Sequence, residues 1–492
     1  MQQFSRIVAR NSAFGMGAQL AIKVLSFCFS VLIVRNLGAE TYGQYAAVLA
    51  FGAVFVFLAD LGLSPYLVRE VARLRDAPDG AARAAALFGD VQALRFCLSL
   101  LTAVLLVGSA WATGRPAVMI GAIALGAVGL VVYSVQGACE AMLAGYERLD
   151  RVAGAKVLQQ VTFVALGTAA LLLSVGYYGL IIANITGVVL LAAVCWRAVR
   201  ALGLRAGAVS PGRWPALLRA AIPFGIIGFT LGLSYKFDSV LLNIFRGDAE
   251  TGYYNAAYNL VFSSVMVSNV INTALYPSLT RQRVSNPGSL TAIYERSLRY
   301  LLLLSLPIAV GGWALADEII PFLFKPQYAP AIPALQIVIW VVPLMFVSEF
   351  LGYVVLIADR ERTVARSVLV STGLNVGANL LLVPVFGFVG AAVMTVVTET
   401  VLVGQYVWIL RTQLGAMRWG PTLGRPLLAA AGMGALALVL HYARAPLLAN
   451  IAVCVLAYAG LLLALGVVGR DELRFVRGLR RPAPAPDAAG SS

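Results

Sequence analysis

The sequence predicts an all-α polytopic membrane protein, and three observations carry that prediction. Of its 492 residues 60% are hydrophobic, only 12% are charged, and the mean hydropathy is +0.85. A soluble globular chain carries about 25% charged residues, so a chain this long with half that share cannot cover itself in water. Its apolar residues also form runs of about 20, the length that crosses a bilayer as a helix. The basic residues fall between those runs in alternating rich and poor groups, as the positive-inside rule requires. A disulfide scaffold is excluded by five Cys in 492 residues, all inside apolar runs. Disorder is excluded by the hydropathy. A β-barrel does not fit runs twice the length of a barrel strand without period-2 alternation.

Taken in order, the expected spans cover 12–34, 43–68, 91–112, 117–139, 154–174, 178–197 and 217–245. They continue over 253–276, 298–318, 331–356, 365–384, 388–410, 426–443 and 448–469, which makes fourteen transmembrane helices. The first is no cleavable signal, because it is long and contains Lys23. With this count, 30 of the 37 Lys and Arg residues fall on one side and 5 on the other, with Lys23 and Lys236 inside spans. A missed or invented span in the middle would scramble that division, so both termini are expected in the cytoplasm. The net charge of +15 is then the cytoplasmic rim facing anionic headgroups. It calls for membrane lipids as partners and for no nucleic acid. The tail after about Arg470, residues 471–492, is rich in Pro, Ala and small polar residues and reads as disordered.

An internal repeat organises the spans. Ala39-Glu40-Thr41 recurs as Ala249-Glu250-Thr251 at an offset of 210, each time between the first and second span of a six-span block. The arrangement expected is a parallel 6 + 6 duplication. It comprises an N-terminal six-helix bundle over 1–210, a second over 211–416, and an additional helix pair over 417–470. The segment 197–219, with five Arg, Pro211 and Pro215, links the halves. Gly38 can end the first helix in a left-handed conformation, and Glu40 favours the N-terminus of the second.

No loop has room for a catalytic domain, no Gly-rich phosphate loop with Lys-Ser/Thr appears, and no metal-ligand cluster is visible. No catalytic residue, metal or cofactor is expected. The single His, His441, has no Cys or carboxylate cluster beside it in the chain and reads as an interfacial ring.

Charges inside the spans carry the chemistry, because each costs roughly 2.5–3.5 kcal/mol at mid-depth. Lys23 and Lys236 occupy the first helix of each half, and neither head can reach an interface. If the halves face each other across a wet cavity, both lysines line it and hold an anionic headgroup; the other reading is a pair of fixed interhelical ion pairs. Arg35 and Arg246 snorkel at the outer interface, where they too can meet an anion. Asp60, Asp238, Glu349 and Glu399 are the acids placed for ion coupling or charge balance. Asp238 lies two residues from Lys236 and therefore on another helix face. In the eighth span Asn255, Asn259, Ser263, Asn269 and Thr273 fall within about 120° of one face. Such a stripe suits sugar hydroxyls, since amides donate and accept, and equally suits helix packing.

These residues bring a family into view. The segment from Asn11 to Arg73, with V-R-N-L-G-A-E-T-Y-G-Q-Y at 34–45 and L-A-D-L-G-L-S-P at 58–65, resembles the polysaccharide (O-antigen-type) flippases. These belong to the multidrug/oligosaccharidyl-lipid/polysaccharide exporter superfamily. The motif P-F-G-I-I-G-F at 223–229 opens the second half in the same pattern. The resemblance implies a bacterial inner-membrane transporter. It would flip undecaprenyl-diphosphate-linked oligosaccharide units from the cytoplasmic to the periplasmic leaflet by alternating access, for surface polysaccharide. It also implies polysaccharide polymerase and assembly proteins as partners. Two alternatives stay open: a lipid II flippase, and a cation-coupled drug exporter. Only Lys23 answers the cationic first helices of the lipid II branch. A drug exporter would prefer an acid-lined cavity free of lysine.

Overall fold

The computed structural model describes residues 21–467 apart from 205–206, 286–289, 359 and 416, and among these the apolar runs are helical with no strand. In lipid every backbone N–H and C=O must find its partner inside the segment, and the helix does this locally. The described part of α1 spans 21–37, followed by α2 (Ala39–Asp60), α3 (Leu63–Leu74), α4 (Gly80–Ala112), α5 (Ala117–Gly145), α6 (Leu149–Leu172) and α7 (Tyr177–Ala201). The second half holds α8 (Trp214–Phe245), α9 (Asp248–Ser285), α10 (Leu290–Ala314), α11 (Ala316–Phe324), α12 (Ile332–Val338), α13 (Val341–Ile357) and α14 (Glu361–Ile409). Short α15 (Arg411–Leu414) leads to α16 (Arg425–Tyr442) and α17 (Leu447–Ala464). The expected tail over 471–492 and the start of the first span lie outside the described residues.

Nine described helices are long and apolar enough to cross a membrane, ten if the pair bent by 41° around 339–340 is one span. The chain is a multi-pass membrane protein, but the test of length and hydropathy does not return fourteen. Two differences have a visible cause. α9 carries Asn255, Asn259, Asn269 and Asn272 and is not among the nine, and α14 runs 49 residues through a break at Gly387, where two spans were expected.

The expected span 43–68 is also divided. α2 ends at Asp60, and Leu61 and Gly62 both take left-handed conformations (φ 44° and 82°), turning the chain into α3. The Asp60 carboxylate then accepts the Ser64 backbone N–H at 3.2 Å, satisfying a first-turn donor. α3 buries Leu63, Leu67 and Val71 and turns Arg69 and Arg73 outward, the pattern of a helix lying along an interface.

The two halves meet along α2, which packs on α9 and α8. Where α2 and α9 begin, the two copies of the repeat cross. A Cβ at Gly43 would run into the Asp248 carbonyl, and one at Gly252 into the Ala39 carbonyl. The link between the halves is tied down by Asp90, which is 1% exposed. It accepts the Ser210 backbone N–H at 2.5 Å and pairs with Arg213 at 2.8 Å. α16 and α17 pack on each other and on α10, and buried Glu295 accepts the Arg418 backbone N–H at 2.5 Å ahead of α16.

Candidate functional site: a cavity between the halves

A cavity of about 850 Å³ is lined mainly by α1, α9, α10, α16 and α17. Its walls differ in chemistry. α1 and α9 are mixed: α1 contributes Lys23, Ser26 and Ser30 beside Val24 and Phe27, and α9 contributes Asn259, Ser263 and Ser264 beside Leu260, Phe262, Met266 and Val267. The side formed by α10, α16 and α17 is apolar, with Ile308, Leu315, Met433, Ala437 and Val455 among its residues. Lys23 forms no ion pair or hydrogen bond among the described residues. An ammonium there is held by water, or by an anion that enters.

A second, smaller cavity of about 180 Å³ adjoins the first and shares Ser26, Ser30 and Asn259 with it. Lys236 is on its wall, with Tyr42, Tyr45, Gln160 and Asn255. The Lys236 Nζ lies 5.9 Å from the Tyr258 ring centroid and pairs with no carboxylate among the described residues. The expectation of a single chamber for both lysines is therefore refined into two adjoining spaces with a common wall. By helix rise Lys23 lies about 22 Å from Gly38 and Lys236 about 14 Å from Phe245, so the two cations sit at different depths.

The span 8 stripe is divided among different duties. Asn259 and Ser263 line the large cavity, and Asn259 Nδ2 donates to Tyr42 Oη at 2.6 Å, joining α9 to α2. Asn255 donates to the Thr251 carbonyl at 2.9 Å and accepts from Ser239 at 3.1 Å, so its amide serves packing. Asn269 faces a third cavity, of about 350 Å³, within the second half. The Thr273 side chain lies outside what is described of α9. Arg35 and Arg246 line none of the three cavities. Arg35 is exposed and Arg246 pairs with Glu250 at 3.0 Å, so neither joins the lysines.

The acids also separate. Asp60 pairs with Arg95 at 3.0 Å, a fixed partner that argues against a coupling role. Asp238, 2% exposed, accepts from Tyr254 at 2.9 Å, Thr395 at 3.4 Å and Asn379 at 3.4 Å. Glu349 and Glu399 line the third cavity, where Glu399 accepts from Ser348 and Glu349 from Asn272 at 3.5 Å. His441 has acidic neighbours that are distant in the chain. Its two ring nitrogens face Glu318 and, at 3.2 Å, Asp317, carboxylates more than 120 residues away in the chain that the sequence does not place beside it. Arg95, Tyr45, Gln160, Asn375 and Asn379 were not singled out, because one polar residue in an apolar run gives no sign of what it meets. Among the described residues no group of three His, Cys, Asp or Glu comes together to hold a metal ion.

The chain is thus a multi-pass helical protein with cation-bearing cavities among its helices. The family model described as "Polysaccharide biosynthesis protein" matches residues 8–282, more than half of the chain, and the chain belongs to that family. A second model, MatE, matches 223–381. Among curated proteins the chain is 24% identical over 189 residues to the probable low-salt glycan biosynthesis flippase Agl15 of Haloferax volcanii, covering 37% of this chain and 40% of that protein. It is 24% identical over 203 residues to the probable flippase AglR of the same organism, covering 39% and 41%. The chain thus spans about 40% of the length of these relatives. Its fold resembles the lipid II flippase MurJ in an inward closed conformation, with TM-score 0.74 and 11% identity over 95% of this chain and 100% of that one. It also resembles a multidrug resistance MATE family transporter of the MOP superfamily in an inward-facing conformation, with TM-score 0.63 and 15% identity over 82% and 98%.

Proposed function

We propose that the protein is a flippase that carries undecaprenyl-diphosphate-linked oligosaccharide units across a bacterial inner membrane, from the cytoplasmic to the periplasmic leaflet, by alternating access. One observation carries this reading: an ammonium without an ion pair, Lys23, shares one cavity with Asn259 and Ser263 of α9 and with apolar residues of α10, α16 and α17. A lipid-linked glycan has three parts of the same chemistry. Lys23 would hold the diphosphate, Asn259 and Ser263 would meet the glycan, and the prenyl chain would leave along α16 and α17 into lipid. Arg35 and Arg246, away from the cavities, are left to the interface. The family match and the flippase names of the relatives support the same class.

The reading includes fourteen spans in two six-helix lobes, over 1–210 and 211–416, with the pair over 417–470 added and both termini cytoplasmic. The basic residues support that sidedness. No ATP is needed, because moving one charge through 100 mV is worth about 2.3 kcal/mol, and a doubly charged diphosphate leaving a negative-inside cell gains about 4–5 kcal/mol. Where a proton or sodium ion is coupled, Asp238 among its hydroxyl and amide donors is the acid we assign to it, with Glu349 and Glu399 the other candidates. Polymerase and assembly proteins would receive the product.

Reconstituted vesicles with a fluorescent prenyl-diphosphate oligosaccharide test this directly. Wild type is expected to expose the probe to the outer leaflet at least tenfold faster than empty vesicles. Lys23→Ala is expected to cut the rate about tenfold while inserting normally. No acceleration by wild type overturns the proposal. The second reading, a lipid II flippase, is favoured by the fold match to MurJ, and it wins if lipid II is moved in preference to the oligosaccharide lipid.

A further inference from the structure

We infer that the smaller cavity, lined by Lys236, Tyr45 and Gln160, is a recognition pocket for one acidic sugar of the glycan, a hexuronate or a sugar with a carboxylate substituent. The inference rests on the flippase reading above and narrows its substrate class.

The pocket presents polar groups that the fold leaves unused. Tyr45 is 5% exposed and lines the pocket, yet its hydroxyl has no hydrogen-bond partner among the described residues. Gln160, from α6, makes no hydrogen bond among the described residues, and the Lys236 ammonium makes no ion pair there, its contact being the Tyr258 ring 5.9 Å from Nζ. Facing the cavity rather than one another, this hydroxyl, carboxamide and cation are open to whatever polar group enters. Tyr42 and Asn259, already bonded to each other at 2.6 Å, form a fixed floor. The ligand must therefore carry hydroxyls for Tyr45 and Gln160 and an anionic group for Lys236. A sugar carboxylate supplies both.

Size and position agree. A volume of about 180 Å³ is well below the roughly 300–1,000 Å³ of a pocket for a drug-sized ligand and far above that of one water, which suits a single ring. The diphosphate has its own cation in Lys23 on the larger cavity, nearer the apolar wall. A second cation in a separate pocket answers a second, separated negative charge on the same substrate. The pocket is also built from both halves, with Tyr45 and Gln160 on α2 and α6 and Lys236 and Asn259 on α8 and α9, so an occupant bridges the surfaces that must part during transport.

The test uses the purified full chain and three synthetic lipids: prenyl diphosphate alone, and prenyl-diphosphate disaccharides ending in glucose or in glucuronate. Wild type is expected to bind the glucuronate lipid at least tenfold more tightly than the glucose lipid. Lys236→Gln should bring the two within about twofold of each other, chiefly by weakening the glucuronate lipid, and Lys236→Arg should keep the preference. Tyr45→Phe and Gln160→Ala should each weaken both disaccharide lipids several-fold and leave prenyl diphosphate unaffected. Equal affinity of wild type for the two disaccharides overturns the inference while leaving the flippase reading intact. So does an equal loss for all three lipids in Lys236→Gln, which would return Lys236 to the diphosphate. Failure to bind any of the three overturns the flippase reading itself.

Discussion

Arg95 is the side chain whose burial asks most of its surroundings. It is 1% exposed, pairs with Asp60 at 3.0 Å, and also donates to Ser64, so one guanidinium fixes the end of α2 and the start of α3 to α4. Removing one partner of such a pair strands the other charge in a low-dielectric interior, at about 3–5 kcal/mol. Asp60→Asn and Arg95→Met are therefore each expected to lower the melting temperature of the detergent-solubilised protein sharply. The double variant should be clearly more stable than the sum of the two losses implies. Additive losses would show that the pair is not coupled. The sequence made Asp60 conspicuous as an acid within an apolar run, but it gave no sign that its partner lies 35 residues further on. Lys23 and Lys236 were legible for the opposite reason. They need no distant partner to be unusual, and the structure leaves both unpaired on cavity walls. His441 shows where such reading stops, since Asp317 and Glu318 reach it only through the packing of distant helices.

At the scale of the element, most boundaries followed from hydropathy, and at two of the breaks a polar side chain does a helix's terminal bonding. The expected break between spans ending at 384 and beginning at 388 coincides with Gly387, which has φ 57° inside α14. There Glu250, from the second copy of the repeat, accepts the Phe388 backbone N–H at 3.2 Å while holding Arg246 at 3.0 Å. The repeat identified by three residues thus caps the second arm of a helix more than a hundred residues away, a role invisible in the repeat alone. A side-chain cap of this kind is worth about 0.5–2 kcal/mol. Glu250→Gln keeps the size and removes the charge, and hydrogen exchange at the amides of residues 388–391 should then quicken several-fold. Unchanged exchange there would show that the first turn is held by something else. The division of 43–68 into α2 and α3 follows the same logic, because Asp60 both pairs with Arg95 and caps α3.

For the molecule as a whole, α2 is a strut gripped at both ends by the opposite half. At the repeat end Gly43 and Gly252 let α2 and α9 cross in backbone contact, and at the arginine-rich end Gly225 of α8 lies where a Cβ would come within 2.6 Å of the Leu61 carbonyl carbon. Both crossings are in backbone contact here, and transport by the proposed cycle requires each to open in turn. A methyl group at one crossing should bias the population toward the state in which that crossing is open, since the two backbones can no longer approach. The measurement is labelling by a membrane-impermeant thiol reagent of Ser263→Cys, on the large cavity, in a chain whose five native cysteines are replaced. Gly252→Ala should raise labelling from the repeat side several-fold and lower it from the arginine-rich side. Gly225→Ala should do the reverse. If both variants shift labelling in the same direction, or neither moves it while the protein remains folded, the crossings are passive packing and the opening occurs elsewhere. The reciprocal result would identify α2 as the element about which the halves exchange access, because only a helix shared by both crossings can couple the closing of one to the opening of the other.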